Sequence, residues 1–372
     1  MKFLRDPIRV ESDKEGIPVV NYGTRFGIRI GRVYNPLTIA LYGILYFGLD
    51  QKVGPVELPV RHHTWKDIVA MADWLVKIEE RGPMCSTWNY DFPWPTYQLL
   101  PPWKSAMAEL FGGLFLISMF RATDKERYRR SADLHLRSLL TPTSEGGLAI
   151  ADKETNGWWF PEYYSPTISA PYVLNGMMYV LLGLRHASSI LGDDRYLCAF
   201  ELGLLDLRKK IRRFDGGFFT YYDSVGNPAD EKYHAFHVQL LDLLVSAADD
   251  HVLARIRSRW KHMSQGYWLK EPLILLSCLL RSRKSGYRLL GLVPGKGKVA
   301  MMKVPRGTLD SQNRSSRPCL GQPLHDSREM YESKDVAKCY LSLDGPQEPE
   351  ETIHHRLQSN LRNPQVFDMI VG

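Results

Sequence analysis

The densest polar-aromatic run in this 372-residue chain is Trp158-Trp-Phe-Pro-Glu162-Tyr163-Tyr164-Ser-Pro166. A carboxyl set among five large aromatics is partly desolvated, which raises its proton affinity toward neutrality and suits it to general acid–base work. The competing reading is a glutamate that forms an ion pair or caps a helix. A second run, Tyr221-Tyr222-Asp223, offers phenolic hydroxyls and an acid, and reads equally as strand tyrosines with wet hydroxyls. The third is Glu231-Lys232-Tyr233-His234-Ala-Phe-His237. Tyr233, His237, Leu240, Leu241 and Leu244 recur at helical spacing and share one face. Asn227-Pro228-Ala-Asp230 supplies an expected N-cap, a first-turn proline and an early acid, so Tyr233 falls where a helix start favours negative charge. His-x-x-His raises the question of zinc, but no third ligand follows at a suitable spacing, so no metal is expected and a hydrogen-bonded core histidine is the plainer reading.

Helical hairpins are the elements expected to carry these residues. Asn35-Pro36 opens an apolar helix through Tyr46, and Thr64 caps an amphipathic partner with Ile68, Met71, Ala72, Leu75 and Ile78 at helical spacing. The pairing repeats with Ser105 to Phe120 and Glu126 to Leu140, Tyr172 to Leu191 and Tyr196 to Ile211, and Pro228 to Ala248 and Asp250 to Met263. Each first helix is nearly all apolar and each second has a charged face, the pattern that an inner and an outer ring require. The fold class is therefore mainly α, an (α/α) barrel or toroid of helical hairpins. Two Gly-Gly stretches dense in aromatics, Gly146 to Phe160 and Phe214 to Tyr222, predict short β-hairpins at its mouth. Strand-like alternation marks Ile17 to Tyr22 and Phe26 to Tyr34. The expected domains are a β-rich segment 1–34, a barrel 35–280 and a flexible or loosely docked tail 281–372.

Composition narrows the partners. The net charge is +7, but residues 281–372 hold 15 Lys/Arg against 10 Asp/Glu, so the aromatic-rich first 280 residues carry only +2. A nucleic-acid partner is not expected from so neutral a body, and any anion has to be met by a local cluster. All nine tryptophans lie between Trp65 and Trp268. Five cysteines without a C-x-x-C point to reduced thiols rather than a secreted disulfide framework. The start, Met-Lys-Phe-Leu-Arg-Asp-Pro, lacks a signal-like apolar stretch, and no 18-residue apolar run suggests a membrane span, which predicts a cytoplasmic chain. Gly295-Lys-Gly-Lys298 fails the phosphate-loop pattern because Val299 stands at the Ser/Thr position.

Trp103-Lys-Ser-Ala-Met-Ala108, Glu162-Tyr163 followed by Pro166-Thr and Tyr172-Val-Leu-Asn-Gly-Met-Met-Tyr179, then Tyr222-Asp223, Tyr233-His-x-x-His237 and Arg259-Trp-Lys261 stand in one order and spacing. Together with Tyr34-Asn-Pro-x-x-Ile-Ala40 they resemble the catalytic domain of D-glucuronyl C5-epimerases over residues 20–266. The resemblance implies inversion of C5 of glucuronic acid residues in a heparosan-like acidic polysaccharide, with no redox cofactor. It implies Glu162, Tyr163, Tyr222 and Tyr233 as catalytic residues. The matching motifs and the aromatic run supply Trp103, Lys104, Trp158, Trp159, Tyr164 and Asn175 as substrate-binding candidates, and the third run adds Lys232, His234 and His237. Because family members pair, a homodimer is open to the chain. Two departures stand out. Tyr164-Ser165 is inserted before Pro166-Thr, leaving Tyr163 or Tyr164 in the family tyrosine's place, and Ser224-Val follows Tyr222-Asp223 where the family has a Leu-Arg. A substrate carboxylate then turns to Lys232, Lys104 or Arg25.

Inverting a carbon beside a carboxylate requires removal of its hydrogen on one face and delivery on the other. Glu162 and Tyr233 are the expected pair, with Tyr222 and Tyr163 donating hydrogen bonds; a tyrosine serves as a base only where the site lowers its pKa from about 10. The alternatives are a uronate lyase from the same carbanion, an inverting glycoside hydrolase in which Asp223 or Glu109 partners Glu162, and a non-catalytic polysaccharide-binding module.

Overall fold

The computed structural model describes residues 8–47, 63–264 and 274, together with the backbone of 287–292 and 299–303. Strands β1 (Arg9–Ser12), β2 (Pro18–Asn21) and β5 (Arg32–Val33) form an antiparallel sheet in the order β1-β2-β5. Between them β3 (Thr24–Arg25) and β4 (Ile28–Arg29) make a minimal hairpin. The single strand expected from Phe26 to Tyr34 is thus two short ones. Gly27 (φ 83°) and Gly31 (φ 74°) turn left-handed, which breaks an extended run. Ile17, Val20 and Tyr22 join the same apolar core as the helices.

Four helical hairpins follow: α1 (Pro36–Tyr46) with α2 (Trp65–Lys77), α3 (Ala106–Thr123) with α4 (Glu126–Arg137), α5 (Leu174–Leu191) with α6 (Asp194–Lys210), and α7 (Glu231–Ala248) with α8 (His251–Met263). The first members pack side by side in chain order, α1 on α3, α3 on α5 and α5 on α7, and each second member packs on its own first. The mainly helical architecture with inner and outer helices is as expected, and four hairpins are what the described residues show of the expected barrel. Helix α3 is long and apolar enough by composition to cross a membrane, but most of it is buried within the array, as a core helix requires.

Local chemistry explains most starts. Asn35 Oδ1 accepts from Thr38 N (3.1 Å) with Pro36 in the first turn, and Thr64 and Asp67 form a reciprocal capping box. Asp250 caps α8 through two backbone N–H groups. Helix α7 begins later than the sequence suggests. Asn227 is held in a turn by Asp223, so Asp230 takes the cap and accepts from Tyr233 N at 2.9 Å.

Of the two Gly-Gly stretches, the first is a hairpin of β8 (Ile150–Asp152) and β9 (Gly157–Trp159). The second is not a ladder but a turn with isolated bridges, Asp215 to Thr220 and Tyr221 to Pro228. Short strands β6 (Glu80–Arg81) and β7 (Ser86–Thr87) pair before α3. The tail falls largely outside the described residues; within it β10 (Tyr287–Leu292) and β11 (Val299–Lys303) pair antiparallel.

A buried polar knot ties α2, α3 and α4 together. His135 Nδ1 lies 2.5 Å from Glu109 Oε2, its Nε2 faces Glu79 at 3.6 Å, and Ser131 donates to Glu79. Burial pulls His135 down, but the two carboxylates outweigh it and its proton affinity ends above the ordinary histidine value. The Trp88 ring stacks on His135 at 3.5 Å, and its Nε1 donates to Leu75 O (2.9 Å) while its backbone N–H donates to Glu109. Gly112 on α3 leaves the space that the indole fills, since a Cβ there would lie 2.2 Å from the ring. Gly112→Ala is therefore expected to lower stability by about 1–3 kcal/mol, read as an earlier thermal unfolding transition by circular dichroism. Melting at the wild-type temperature would mean that this indole is free to shift.

Candidate active site at the helix starts

The inner helices α3 and α5 start without side-chain caps, since the Ser105 hydroxyl accepts nothing from its first turn and Val173 has no side-chain acceptor. Loop carbonyls serve instead. Ala106 N donates to Pro161 O (2.9 Å), and Leu174 N donates to Tyr222 O (3.0 Å). Helix starts leave N–H groups that need acceptors, and here the acceptors are the residue just before Glu162 and Tyr222 itself. Lys104 and Tyr164 pair backbone to backbone, as do Val173 and Asp223. Tyr222 N also donates to Asn227 O at 2.7 Å. The two loops are thus sewn to the helix ends that they cover, with Tyr233 in the first turn of α7 beside them.

This brings the four expected catalytic residues together. The Tyr222 hydroxyl faces Glu162 Oε1 at 3.5 Å, and the Tyr222 ring meets the Tyr233 ring edge-on at 4.9 Å. Tyr163 lies beside Glu162 and helps to stabilise its anion. Glu162 is half-buried as a residue, but its Oε2 is enclosed and has no hydrogen-bond partner. Gly176 on α5 makes room for it: a Cβ there would lie 2.8 Å from Oε2. Burial pushes the Glu162 carboxyl up to about 7, the negative Asp223 adds to the rise, and the hydroxyls of Tyr163 and Tyr222 oppose it. Burial also drives Tyr163, Tyr222 and Tyr233 above the ordinary tyrosine value, with Glu162 next among the causes for each. The site therefore does not lower a tyrosine into the range of a base. It holds its phenols neutral, as donors, around one carboxyl poised near neutrality.

The other expected contacts divide. Asn175 is buried in the first turn of α5 with Oδ1 unpartnered. Trp103 is a wall: it stacks on Tyr90 at 3.9 Å, meets Tyr163 at 5.5 Å and donates Nε1 to Phe92 O. Lys104 and Tyr164 are half-buried at the loop seam, whereas Lys232 is exposed. Trp158 is buried and Trp159 fully so, the latter stacked between Tyr172 and Phe214 behind the loop. His234 and His237 share Thr220 Oγ1, 3.0 Å from each Nδ1. His234 Nε2 faces Trp260 O (3.1 Å) and so must donate, which leaves its Nδ1 to accept from Thr220. Burial and the neighbouring His234 bring His237 down to about 3, so it is neutral. Both histidines brace α7 from behind. Of the three cations considered for a carboxylate, Arg25 is the one buried next to the cluster: its Nε donates to Tyr22 O (3.1 Å), and its charge acts on the Tyr22 hydroxyl.

Further tyrosines that the motifs did not single out surround the site. Tyr22, Tyr97 and Tyr179 all titrate under the influence of Glu162, and burial raises each, Tyr22 to about 12. Tyr97 lies in Phe92-Pro-Trp-Pro-Thr-Tyr97, a loop whose aromatics and prolines were a readable signal; Tyr179 reads as core on an apolar helix.

Residues 82–262 match the family described as D-glucuronyl C5-epimerase C-terminus. Over 211 residues the chain is 31% identical to the D-glucuronyl C5-epimerase of Caenorhabditis elegans, covering 51% of this chain and 34% of that protein, so the chain spans about a third of that relative's length. Over 273 residues it is 25% identical to an uncharacterized protein of Methanocaldococcus jannaschii, covering 70% of this chain and 87% of the other. Among solved structures, a D-mannose isomerase crystal structure aligns with a TM-score of 0.41 at 13% identity, over 68% of this chain and 65% of that one. Glu162, Tyr163, Tyr222 and Tyr233 all lie inside the matched segment, and it is residues 82–262 of this chain that match the C-terminal domain of the D-glucuronyl C5-epimerase family.

Proposed function

We propose that this protein is an epimerase that inverts C5 of D-glucuronic acid residues in a heparosan-like polysaccharide, giving L-iduronic acid without a redox cofactor. The observation that carries the reading is the enclosed carboxyl of Glu162, brought to about 7 and faced by neutral phenols. As the anion, Glu162 takes the C5 proton and the C5–H electron pair passes into the substrate carboxylate. The pair returns to C5 as Tyr233 delivers a proton to the opposite face, forming the new C5–H bond and leaving a phenolate; solvent then protonates the phenolate and takes the proton from Glu162. The hydroxyls of Tyr222 and Tyr163 donate to the doubly negative intermediate, and the starts of α5 and α7 favour negative charge there. Arg25 is the cation best placed to meet the substrate carboxylate.

The hydrolase alternative loses both of its second acids. Glu109 is committed to Trp88 and His135, and both oxygens of Asp223 are taken up by protein donors. Incubation with heparosan oligosaccharides in heavy water separates the remaining readings. Deuterium at C5 without cleavage is the expected result. An unsaturated chain end would make the protein a lyase, and binding without exchange would make it a polysaccharide-binding module.

Glu162→Gln and Tyr233→Phe are each expected to lower C5 exchange at least about a hundredfold while the fold stays intact; wild-type exchange in either removes that residue from the chemistry. Exchange should fall as pH drops through about 7, because protonated Glu162 cannot act as base. The stability sign is the reverse. A carboxyl raised from 4.5 to about 7 on folding stabilises the folded state in its protonated form, and that contribution is lost as pH rises through about 7. Glu162→Gln should therefore gain stability over wild type between pH 5 and 8, by about 3 kcal/mol at the alkaline end, measured by urea unfolding. Gly176→Ala, which places a methyl against Glu162, is expected to cut exchange with helix content unchanged; full activity would mean that the carboxyl does not need this position.

A further inference from the structure

Asp223 is 1% exposed, and every hydrogen bond to its carboxyl comes from a donor. Oδ1 accepts from Gly226 N (2.9 Å) and Asn227 N (3.0 Å); Oδ2 accepts from the Tyr97 hydroxyl (2.7 Å) and from Asn227 Nδ2. Three of these four partners, the two backbone N–H groups and the Asn227 amide N–H, can only donate, and the Tyr97 oxygen alone could accept a carboxyl hydrogen. The donor set favours the Asp223 anion and opposes the rise in proton affinity that burial imposes. The same residue is fixed through its backbone, since it bridges to Val173 at the start of α5, and its neighbour Tyr222 is pinned through both N–H and C=O. Tyr97 reaches across from a loop 126 residues away to make this bond, and its ring also packs on Tyr163 at 4.9 Å.

We propose that Asp223, clamped as an anion by Tyr97 and the 226–227 turn, is a positioning residue that sets the charge beside Glu162 and fixes the backbone on which Tyr222 rides. No step of the chemistry passes through it. The groups that face Glu162 or answer to its charge are Tyr163 and Tyr222 on the two loops, Asp223, Tyr97, Tyr22 and Tyr90 on the N-terminal side, Tyr179 on α5 and Tyr233 on α7. All of these except Asp223 are phenols that stay neutral. Asp223 is then the one fixed negative charge among them, and it works in the same direction as burial, keeping a proton on Glu162 to higher pH.

Because this role takes Glu162 as the base, activity is read beside a titration that needs no substrate. In full-length protein with 13C-labelled Asp and Glu carboxyls, the Glu162 signal is identified by its loss in Glu162→Gln. Asp223→Asn is expected to move the Glu162 midpoint down by about half a pH unit, and the acid limb of C5 exchange should move with it. An unmoved midpoint overturns the proposal. Should Asp223→Asn fail to fold, Tyr97→Phe deletes only a hydroxyl. With one donor of four removed, the Asp223 signal should titrate at higher pH than in the wild type, and an unchanged Asp223 titration removes Tyr97 from the clamp. Wild-type protein that exchanges no C5 hydrogen on heparosan would sink the epimerase reading while leaving the titration result to stand on its own.

Discussion

Two inner helices of this protein borrow their N-terminal caps from the loops that carry the chemistry. The carbonyl of Pro161 satisfies the first N–H of α3, and that of Tyr222 satisfies the first N–H of α5. An uncapped, buried helix start costs free energy until an acceptor arrives. The acceptor here comes with Glu162 or Tyr222 attached, so forming the core and placing the site are one event. Side-chain caps of the Asn35 or Thr64 kind would have stabilised α3 and α5 equally well but would have left the loops free.

The same economy governs the electrostatics. Glu162 is enclosed by phenols, and burial is the largest reason that its proton affinity rises to about 7. Phenols suit such a wall because they supply apolar surface, a donor each, and no charge at neutral pH. Their own proton affinities rise by the same burial, so the enclosure divides the labour: one carboxyl changes protonation near neutrality and the hydroxyls around it do not. A second enclosed carboxyl, Asp223, is also raised by burial, but four donors meet it and oppose that rise. Burial alone therefore does not decide proton affinity; the direction of the surrounding hydrogen bonds counts as well.

Much of the fold was legible in the chain. The eight helices α1 to α8 of the described residues follow from apolar periodicity punctuated by Asn35-Pro36, Thr64, Asp250 and left-handed ends at Asp124, Gly192 and Asp249. Where the reading slipped, a tertiary contact overrode a local rule. Asn227-Pro228 looks like a cap but is occupied by Asp223, which moved the start of α7 to Glu231. Phe214 to Tyr222 alternates like a hairpin, yet Thr220 is spent on His234 and His237 and only isolated bridges form.

Residue types and order determined that this is a chain of helical hairpins, and that Glu162, Tyr222 and Tyr233 stand on aromatic loops and a helix start. Both are properties of short windows, which periodicity and capping encode directly. Tertiary structure alone decided that Trp159, His234 and His237 face away from that cluster, and that Tyr22, Tyr97 and Tyr179 join it. It also decided that tyrosines here are donors rather than bases. Proton affinity depends on which groups enclose an atom from distant parts of the chain, and Tyr97 with Asp223, 126 residues apart, is such a contact.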